Sequence, residues 1–363
     1  MKSRLLILTI SMLGIAVLVG CGASNTKMAS QVAAGHFTFV ANNNLDSIST
    51  FQTDPASGQM SMVGSTPTGA CSGPRYLELH PSKVFLFASC QGSNSVATFS
   101  VDQSSGSLIM IGSPAPTGVG PVTVAVDPQG KFLYVSNINA STLSAFTIGN
   151  DGSLMSIPGS PYTTGQTPYW VEMGSSGNFV YVANRDSNNV SAFRLDSTSG
   201  ALTEIPSSPF AADNGPRAVA LSGKFAFVPN RFSNTVSAFT VDPNTGALTP
   251  VPGSPFPTHT DPRSAATDVS GHFLYVPNTL SNDISAYSID QNTGALTQIS
   301  GSPFPGGQVP LQIETDSSGK FIYVANSGSN NVTVYAVDNT TGKLQLVQTT
   351  STPGSAVSFA QVR

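Results

Sequence analysis

Charged side chains are scarce in this sequence: Asp, Glu, Lys and Arg together make up 9% of the residues, and the net charge is -4. Proteins that bind nucleic acid carry a basic patch or stripe. No such stripe is present, so the composition argues against a nucleic-acid partner. Ser, Thr, Asn and Gln must supply most of the polar surface instead.

The usual signatures of catalytic and metal sites are also missing. The sequence contains no G-x-S-x-G elbow, no H-E-x-x-H pair, no C-x-x-C-H haem site and no Gly-rich phosphate loop. Its four histidines are scattered. Turns such as "DPNTG", Asp242 to Gly246, lack the alternating carboxylates of a calcium loop and are interpreted as hairpin turns. The sequence predicts no metal and no cofactor; a divalent cation is an alternative that no motif supports.

The first twenty residues resemble a targeting segment rather than part of a fold. Lys2 and Arg4 precede an apolar run that is too short for a membrane span of about 20 residues. The following "LVGC" resembles the lipobox of bacterial lipoproteins, which implies cleavage before Cys21 and a lipid on its sulfur. Gly22, rather than Asp, follows that cysteine, which favours the outer over the inner membrane. A simple secretory signal with a chance cysteine is the alternative.

The rest of the chain repeats one unit about every 47 residues. "FVYVANRDSNNVSAF" at Phe179 returns as "FAFVPNRFSNTVSAF" and "FLYVPNTLSNDISAY". The first aromatic residue of each copy is Phe37, Phe85, Phe132, Phe179, Phe225, Phe273 or Phe321. Each unit reads as four short strands separated by turns, which is typical of a propeller blade. No helical period competes with this pattern.

The two ends of the repeat region complement each other. The chain enters at "FTFVAN" without the preceding Pro-led strand and leaves with "TPGSAVSFAQVR", which matches one. The last strand therefore completes the first blade and removes the open sheet edges. The sequence predicts an all-β, seven-bladed propeller of four-stranded antiparallel blades over residues 36–363. We expect a monomer, with a signal peptide over residues 1–20 and a lipidated tether over 21–35.

Several strings, among them "LYVSN", "VYVANRDSNNVSAF" and "DPQGKFLYV", resemble the YVTN-type propeller repeat. The Pro-Arg and G-K-F-x-Y-V-x-N unit is similar to the seven-bladed lactonase family, the phosphogluconolactonase-like proteins. That resemblance implies lactone hydrolysis. In the family, His typically follows the Pro-Arg pair and Glu follows the Asn. Here the corresponding residues are Tyr76, Ala218 and Ser264 after Pro-Arg, and Arg185, Arg231 and Thr279 after Asn.

Arginines are concentrated at one predicted rim. The Pro-led strand runs antiparallel to the "YVAN" strand, so the residues after Pro and after Asn share an end of the sheet. Five arginines fall there: Arg75, Arg185, Arg217, Arg231 and Arg263. Guanidinium groups in this arrangement suit a carboxylate or phosphate. The alternative is that each pairs with a loop carboxylate such as Asp186, Asp213 or Asp261.

Three glutamates share one register of the Pro-led inner strand. Glu78, Glu172 and Glu314 each lie four residues after a proline. They are candidate catalytic residues for acid–base chemistry with a water or, less directly, ligands of a divalent cation. Solvated walls of the channel are the alternative.

Three further side chains occupy the register of the missing family histidine. Tyr76, Trp170 and Gln312 are candidate ligand-binding residues that offer stacking surface, for example to a sugar. Packing between blades explains them equally well. On the same rim, Cys71 and Cys90 belong to one blade, and we expect a disulfide that links its loops.

These features lead to three functional hypotheses. The leading one is a lipid-anchored extracytoplasmic module that binds an anionic small molecule, a glycan or an envelope protein at the arginine rim. The second is a lactone hydrolase in which arginines hold the substrate and Glu78, Glu172 or Glu314 acts as base. The third is a structural protein of the cell envelope.

Overall fold

The computed structural model describes residues 35–362, which form one ring of seven antiparallel sheets. The predicted all-β seven-bladed propeller is confirmed. The predicted signal peptide, lipidated Cys21 and nearly all of the tether lie outside the described residues. Within residues 35–362, a short 3₁₀ turn at Asn43–Leu45 is the one helical element, and no helix is long and apolar enough to cross a membrane.

The first, second and seventh blades have four strands each. The first contains β1 (Phe37–Asn42), β2 (Ser47–Thr53), β3 (Met60–Pro67) and β32 (Ala356–Val362). The second contains β4 (Pro74–Leu79), β5 (Phe85–Cys90), β6 (Ser95–Val101) and β7 (Leu108–Pro116). The seventh contains β28 (Pro310–Thr315), β29 (Phe321–Asn326), β30 (Asn331–Val337) and β31 (Leu344–Ser351).

The third to sixth blades divide the outermost strand into two short pieces. The third contains β8 (Pro121–Val126), β9 (Phe132–Asn137), β10 (Thr142–Ile148), β11 (Leu154–Ser156) and β12 (Tyr162–Thr163). The fourth contains β13 (Pro168–Met173), β14 (Phe179–Asn184), β15 (Asn189–Leu195), β16 (Leu202–Glu204) and β17 (Phe210–Ala211). The fifth contains β18 (Ala220–Ser222), β19 (Phe225–Asn230), β20 (Thr235–Val241), β21 (Leu248–Pro250) and β22 (Phe256–Pro257). The sixth contains β23 (Ala266–Thr267), β24 (Phe273–Asn278), β25 (Asp283–Ile289), β26 (Leu296–Gln298) and β27 (Phe304–Pro305).

A Ser-Pro pair lies between the two outer pieces of each of these four blades, as at Ser208 and Pro209 in the fourth. Proline has no N–H to donate to the ladder, which weakens the strand there. The second blade keeps its Ser113-Pro114 pair inside β7, where the register with β6 shifts instead.

The last strand closes the ring, as the sequence predicted. β32 runs antiparallel to β1, with Phe39 opposite Ala360 and Val40 opposite Phe359. The innermost strands are β32 in the first blade and the first strand of every other blade, and they contact one another in the order β18, β23, β28, β32, β4, β8, β13. The second strand from the channel, which is β1 in the first blade, is fully buried in six of the seven blades, because it carries the aromatic and aliphatic side chains that pack between neighbouring sheets.

Hydrogen bonds also connect neighbouring blades through the buried tyrosines. Tyr181 of the fourth blade donates to the carbonyl of Gly246 in the fifth at 3.0 Å, and Tyr275 of the sixth donates to Gly342 in the seventh. Within a blade, the Asn that ends the second strand joins it to the third: Asn184 Nδ2 lies 2.8 Å from Ser191 Oγ. These repeated contacts fix the inner strands around one channel.

Candidate functional site

A ring of seven side chains narrows one end of the channel. In each blade the ring residue follows the inner residue that pairs with the last residue of the neighbouring strand, as Arg217 follows Pro216, which pairs with Asn230. In blade order the seven are Val357, Arg75, Val122, Tyr169, Arg217, Arg263 and Leu311. In the first, second, third, fourth and seventh blades the strand register shifts at this position. Such a bulge redirects a side chain out of the normal alternation. All seven line a cavity of about 40 Å³, the arginine cavity. It holds about three water molecules or one carboxylate group.

Arg217 is the most buried cation of this ring, with 4% of its surface exposed. Its guanidinium carbon lies 3.5 Å from the centroid of the Tyr169 ring. Among the described residues, no carboxylate lies within salt-bridge distance of it. Burial lowers the pKa of Arg217 to about 9, so it remains a cation at neutral pH. A buried, unneutralised cation facing a small cavity is suited to an anionic ligand group.

The five predicted rim arginines divide into two sets. Arg231 and Arg263 share Asp261, at 2.7 Å each, and Arg185 pairs with Asp186 at 2.7 Å. For those three arginines the structure agrees with the alternative interpretation, in which loop carboxylates neutralise them. Arg75 and Arg217 do not, since both contact a tyrosine instead.

That tyrosine, Tyr169, was missed by sequence reasoning. Its hydroxyl accepts a hydrogen bond of 2.8 Å from Arg75 Nη2, and its ring lies beneath Arg217. Burial acts to raise its pKa, but the charges of Arg217 and Arg75 outweigh burial and lower the pKa of Tyr169 to about 8. A signal was available, because Tyr169 follows Pro168 as Arg75 follows Pro74.

The next ring of side chains forms a neck. Tyr76, Trp170 and Gln312 line both the arginine cavity and a second cavity on the other side. The rings of Tyr76 and Trp170 meet edge to face with centroids 5.2 Å apart, and Gln312 Oε1 accepts a bond from the backbone N–H of Phe359. The neck therefore separates two chemically different environments within the channel.

The three predicted glutamates line that second cavity together. It has a volume of about 510 Å³, and Glu78, Glu172 and Glu314 are all on its wall. Burial raises the pKa of Glu172 to about 7, although a bond from Trp170 Nε1 opposes the shift. Burial and the charges of the three glutamates raise the pKa of Tyr76. The arginines predicted to hold a substrate and the glutamates predicted as bases thus face different cavities.

Two further observations concern covalent and metal chemistry. Cys71 and Cys90 form a disulfide in the second blade, with Cα atoms 5.0 Å apart. Cys90 ends β5 at the position where the corresponding strands of the other blades end in Asn. Within residues 35–362, no group of three or more His, Cys, Asp or Glu side chains is arranged to hold a metal ion.

The ring and its cavities define a propeller with an arginine-lined channel mouth. Comparison with protein families matches the chain to the lactonase, seven-bladed β-propeller model over residues 19–123, 111–209 and 210–360. The chain belongs to this family. A search of curated proteins found no match.

Solved structures repeat the fold at low sequence identity. A 6-phosphogluconolactonase candidate from Bacteroides uniformis has 21% identity and a TM-score of 0.82, covering 91% of this chain and 100% of its own. The periplasmic gluconolactonase PpgL from Pseudomonas aeruginosa has 19% identity and a TM-score of 0.79 over 90% and 99%. AztD from Citrobacter koseri, at 12% identity and a TM-score of 0.59, covers 90% and 98%. At these identities the likeness establishes the fold, and activity must be argued from the site.

Proposed function

We propose that the protein hydrolyses a lactone whose carbonyl group enters the arginine cavity. One observation carries this proposal: Arg217 is 4% exposed, faces the cavity and has no carboxylate partner among the described residues. Burying a charge without a partner destabilises a fold. A site that retains such a charge is therefore a candidate for binding an anion or a developing negative charge.

Lactone hydrolysis produces negative charge at two stages. Attack on the carbonyl carbon places a charge on the carbonyl oxygen, and ring opening leaves a carboxylate. Arg217 and Arg75 offer N–H donors to both, and donors that the fold already holds in place act without reorganisation. Membership of the lactonase family and the likeness to structures named as gluconolactonases support this reaction over the binding module that the sequence alone favoured.

A binding module without turnover is the second candidate. It is favoured by the residues after Pro-Arg, where Tyr76, Ala218 and Ser264 replace the histidine that is typical of the family. In that case the same two arginines hold an anionic or sugar-like ligand. A purely structural envelope role offers no reason for the unpaired charge of Arg217.

We also propose that the protein works outside the cytoplasm, attached through a lipid on Cys21 to the outer membrane, as a monomer. The basic and apolar start with its "LVGC" sequence supports this. The disulfide between Cys71 and Cys90 is compatible with an oxidising compartment. Mass spectrometry of the lipidated N-terminus, compared between wild type and Cys21→Ala, tests the anchor.

The function is tested by following acid release from a panel of five- and six-membered lactones, with and without an anionic substituent. We expect hydrolysis above the buffer rate. Arg217→Ala should lower kcat/KM by about 10²–10³-fold, the loss typical of removing one oxyanion donor.

The matched control is Arg194→Ala. Arg194 is exposed, packs on the ring of Phe179 and bonds the carbonyl of Asn244, away from both cavities. It should retain wild-type kinetics. Absence of turnover of every lactone by the wild type would reject hydrolysis, and isothermal titration with the same lactones and their hydroxy acids would then test the binding module.

A further inference from the structure

Tyr169 is held more firmly than a wall residue of a cavity requires. Its hydroxyl is bonded by Arg75 from two blades away, and its ring is covered by Arg217 of the next blade. Thr123 Oγ1, from the blade between Arg75 and Tyr169, donates to its backbone carbonyl at 2.7 Å. Residues of three other blades thus hold Tyr169 at its hydroxyl, its ring and its backbone, beside the arginine cavity that it lines.

The charged groups with the largest effect on Tyr169 are cations. Arg217, Arg75 and Arg263 act on it, and Tyr169 in turn acts on Arg185. The loop carboxylates beside these arginines are bonded to them: Asp261 to Arg231 and Arg263, and Asp186 to Arg185. Positive charges on several sides stabilise the phenolate over the phenol.

Tyr76 of the neck provides an internal contrast, because it also lines the arginine cavity but is surrounded by the opposite charge. Burial and the charges of Glu78, Glu314 and Glu172 raise its pKa, so it stays a phenol. Burial also acts to raise the pKa of Tyr169, but the charges of Arg217 and Arg75 outweigh it and lower that pKa to about 8. The pKa values of two tyrosines of one channel are therefore shifted in opposite directions, and above about pH 8 only Tyr169 is a phenolate.

We infer that Tyr169 is the general base of the hydrolysis, taking a proton from the attacking water at its phenolate oxygen. This inference rests on the proposed function. It assigns the step to a residue outside the glutamate set that the sequence indicated. Glu172 is the glutamate of that set whose pKa burial raises to about 7. It accepts a hydrogen bond from Trp170 Nε1 and lines the other cavity.

The proposed step balances without a cofactor. The phenolate oxygen accepts one proton of the water while the water oxygen forms a bond to the carbonyl carbon, and the carbonyl electron pair becomes an oxyanion beside Arg217. The oxyanion collapses and breaks the ring C–O bond. The leaving alkoxide then takes the proton back from Tyr169, and the new carboxylic acid releases its own proton to solvent.

The first test is an ultraviolet titration of tyrosinate in the intact protein, which needs no turnover. Among nine tyrosines, we expect a single one to ionise near pH 8. The step should vanish in Tyr169→Phe. It should move to higher pH in Arg217→Met, since a cation that favours the phenolate is gone. Tyr181→Phe is the matched control in the same blade, because burial raises the pKa of Tyr181 to about 12 and the step near pH 8 should persist.

The second test is the pH dependence of kcat/KM on the best lactone. We expect activity to rise as Tyr169 ionises, with a midpoint near 8, and Tyr169→Phe to lose both that rise and about 10²–10⁴-fold in rate. Tyr181→Phe should keep the wild-type profile.

The outcomes separate the two proposals. If no tyrosine ionises near pH 8 while the wild type hydrolyses lactones, the base assignment is rejected and the proposed function stands. It is also rejected if Tyr169→Phe retains kcat/KM within about threefold, well short of the expected loss. If the tyrosinate step is present but no lactone is hydrolysed, the proposed function fails, and Tyr169 as its base fails with it.

Discussion

Arg217 shows at the scale of one residue how this fold accepts a cost in stability at its candidate site. The side chain is buried, positively charged and unpaired by any described carboxylate. Replacing a buried charge by an apolar group of similar size is often neutral or stabilising. We therefore predict that Arg217→Met raises the free energy of unfolding by about 1 kcal/mol or more while hydrolysis is lost.

Urea denaturation measures this effect, with Arg75→Met as the comparison. Arg75 is only half-buried, so its replacement should change stability less. A destabilised Arg217→Met protein would mean that stacking on Tyr169 outweighs desolvation and that the cation has a structural role.

Asp261 should behave in the opposite way, because it neutralises two arginines. It is 3% exposed and bonds Arg231 and Arg263. Burial acts to raise its pKa, but the bonds from Arg263 and Arg231 outweigh burial and hold the pKa below its usual value of 3.8. We predict that Asp261→Asn destabilises the protein by about 1–3 kcal/mol, less than a fully buried pair because both arginines retain some exposure.

The pH dependence of that loss follows from the sign of the shift. A carboxyl with a depressed folded-state pKa stabilises the fold above its unfolded pKa, and the contribution disappears as the pH falls through the folded value. The difference in urea midpoint between wild type and Asp261→Asn should be full at neutral pH and shrink below about pH 4. A difference that stays constant down to acid pH would exclude the ion pairs as its cause.

At the scale of the element, the hairpin turns that resemble calcium loops are contacts between blades. In Asp242 to Gly246, the Asp242 carboxylate accepts backbone bonds from Asn244 and Thr245. Gly246 has φ +76°, and a Cβ there would lie 2.4 Å from the ring of Phe179 in the preceding blade. The glycine is therefore required both by its conformation and by its packing against the preceding sheet.

Three alanine substitutions separate those two requirements. Gly246→Ala should destabilise by about 2–5 kcal/mol, from left-handed strain and overpacking together. Gly223, with φ +55° and open space around it, should lose only about 1–2 kcal/mol from strain. Gly64, with neither constraint, should be unchanged or slightly stabilised. Equal losses at Gly246 and Gly223, measured by urea denaturation, would show that the contact with Phe179 contributes nothing.

The repeat predicts elements well and predicts the contacts between blades poorly. The aromatic period gives the seven blades, and the Pro-to-Asn offset gives the end at which side chains converge. The sequence does not reveal that Arg231 and Arg263 share Asp261, or that Glu78, Glu172 and Glu314 line one cavity. These depend on the angle between sheets and on bulges, which no local pattern encodes. Tyr169 carries no formal charge and lies one residue before the register of the family histidine, so neither pattern indicates it.

At the scale of the whole molecule, closure of the ring is needed to assemble the candidate site, as each of its side chains is. β32 pairs with β1 and brings Val357 into the arginine cavity. Deleting residues 353–363 would leave β1 as an open edge and remove one of the seven residues around the cavity. We predict that this truncated protein aggregates or fails to fold, because unpaired edges associate readily and a propeller buries each blade against its neighbours.

A circular permutant distinguishes loss of closure from loss of sequence. Phe37 pairs with Val362, so a short linker can join the ends of residues 36–363, and new ends can be opened between the exposed Ser175 and Ser176. In this permutant the blade that contains strands from both ends of the chain is the fourth instead of the first. We expect a β-rich circular dichroism spectrum, a monomeric elution volume and the kinetics of the unpermuted 36–363 chain. If the permutant aggregates as the truncated chain does, the pairing of β32 with β1 must form early in folding and continuity of the original chain, rather than closure alone, is required.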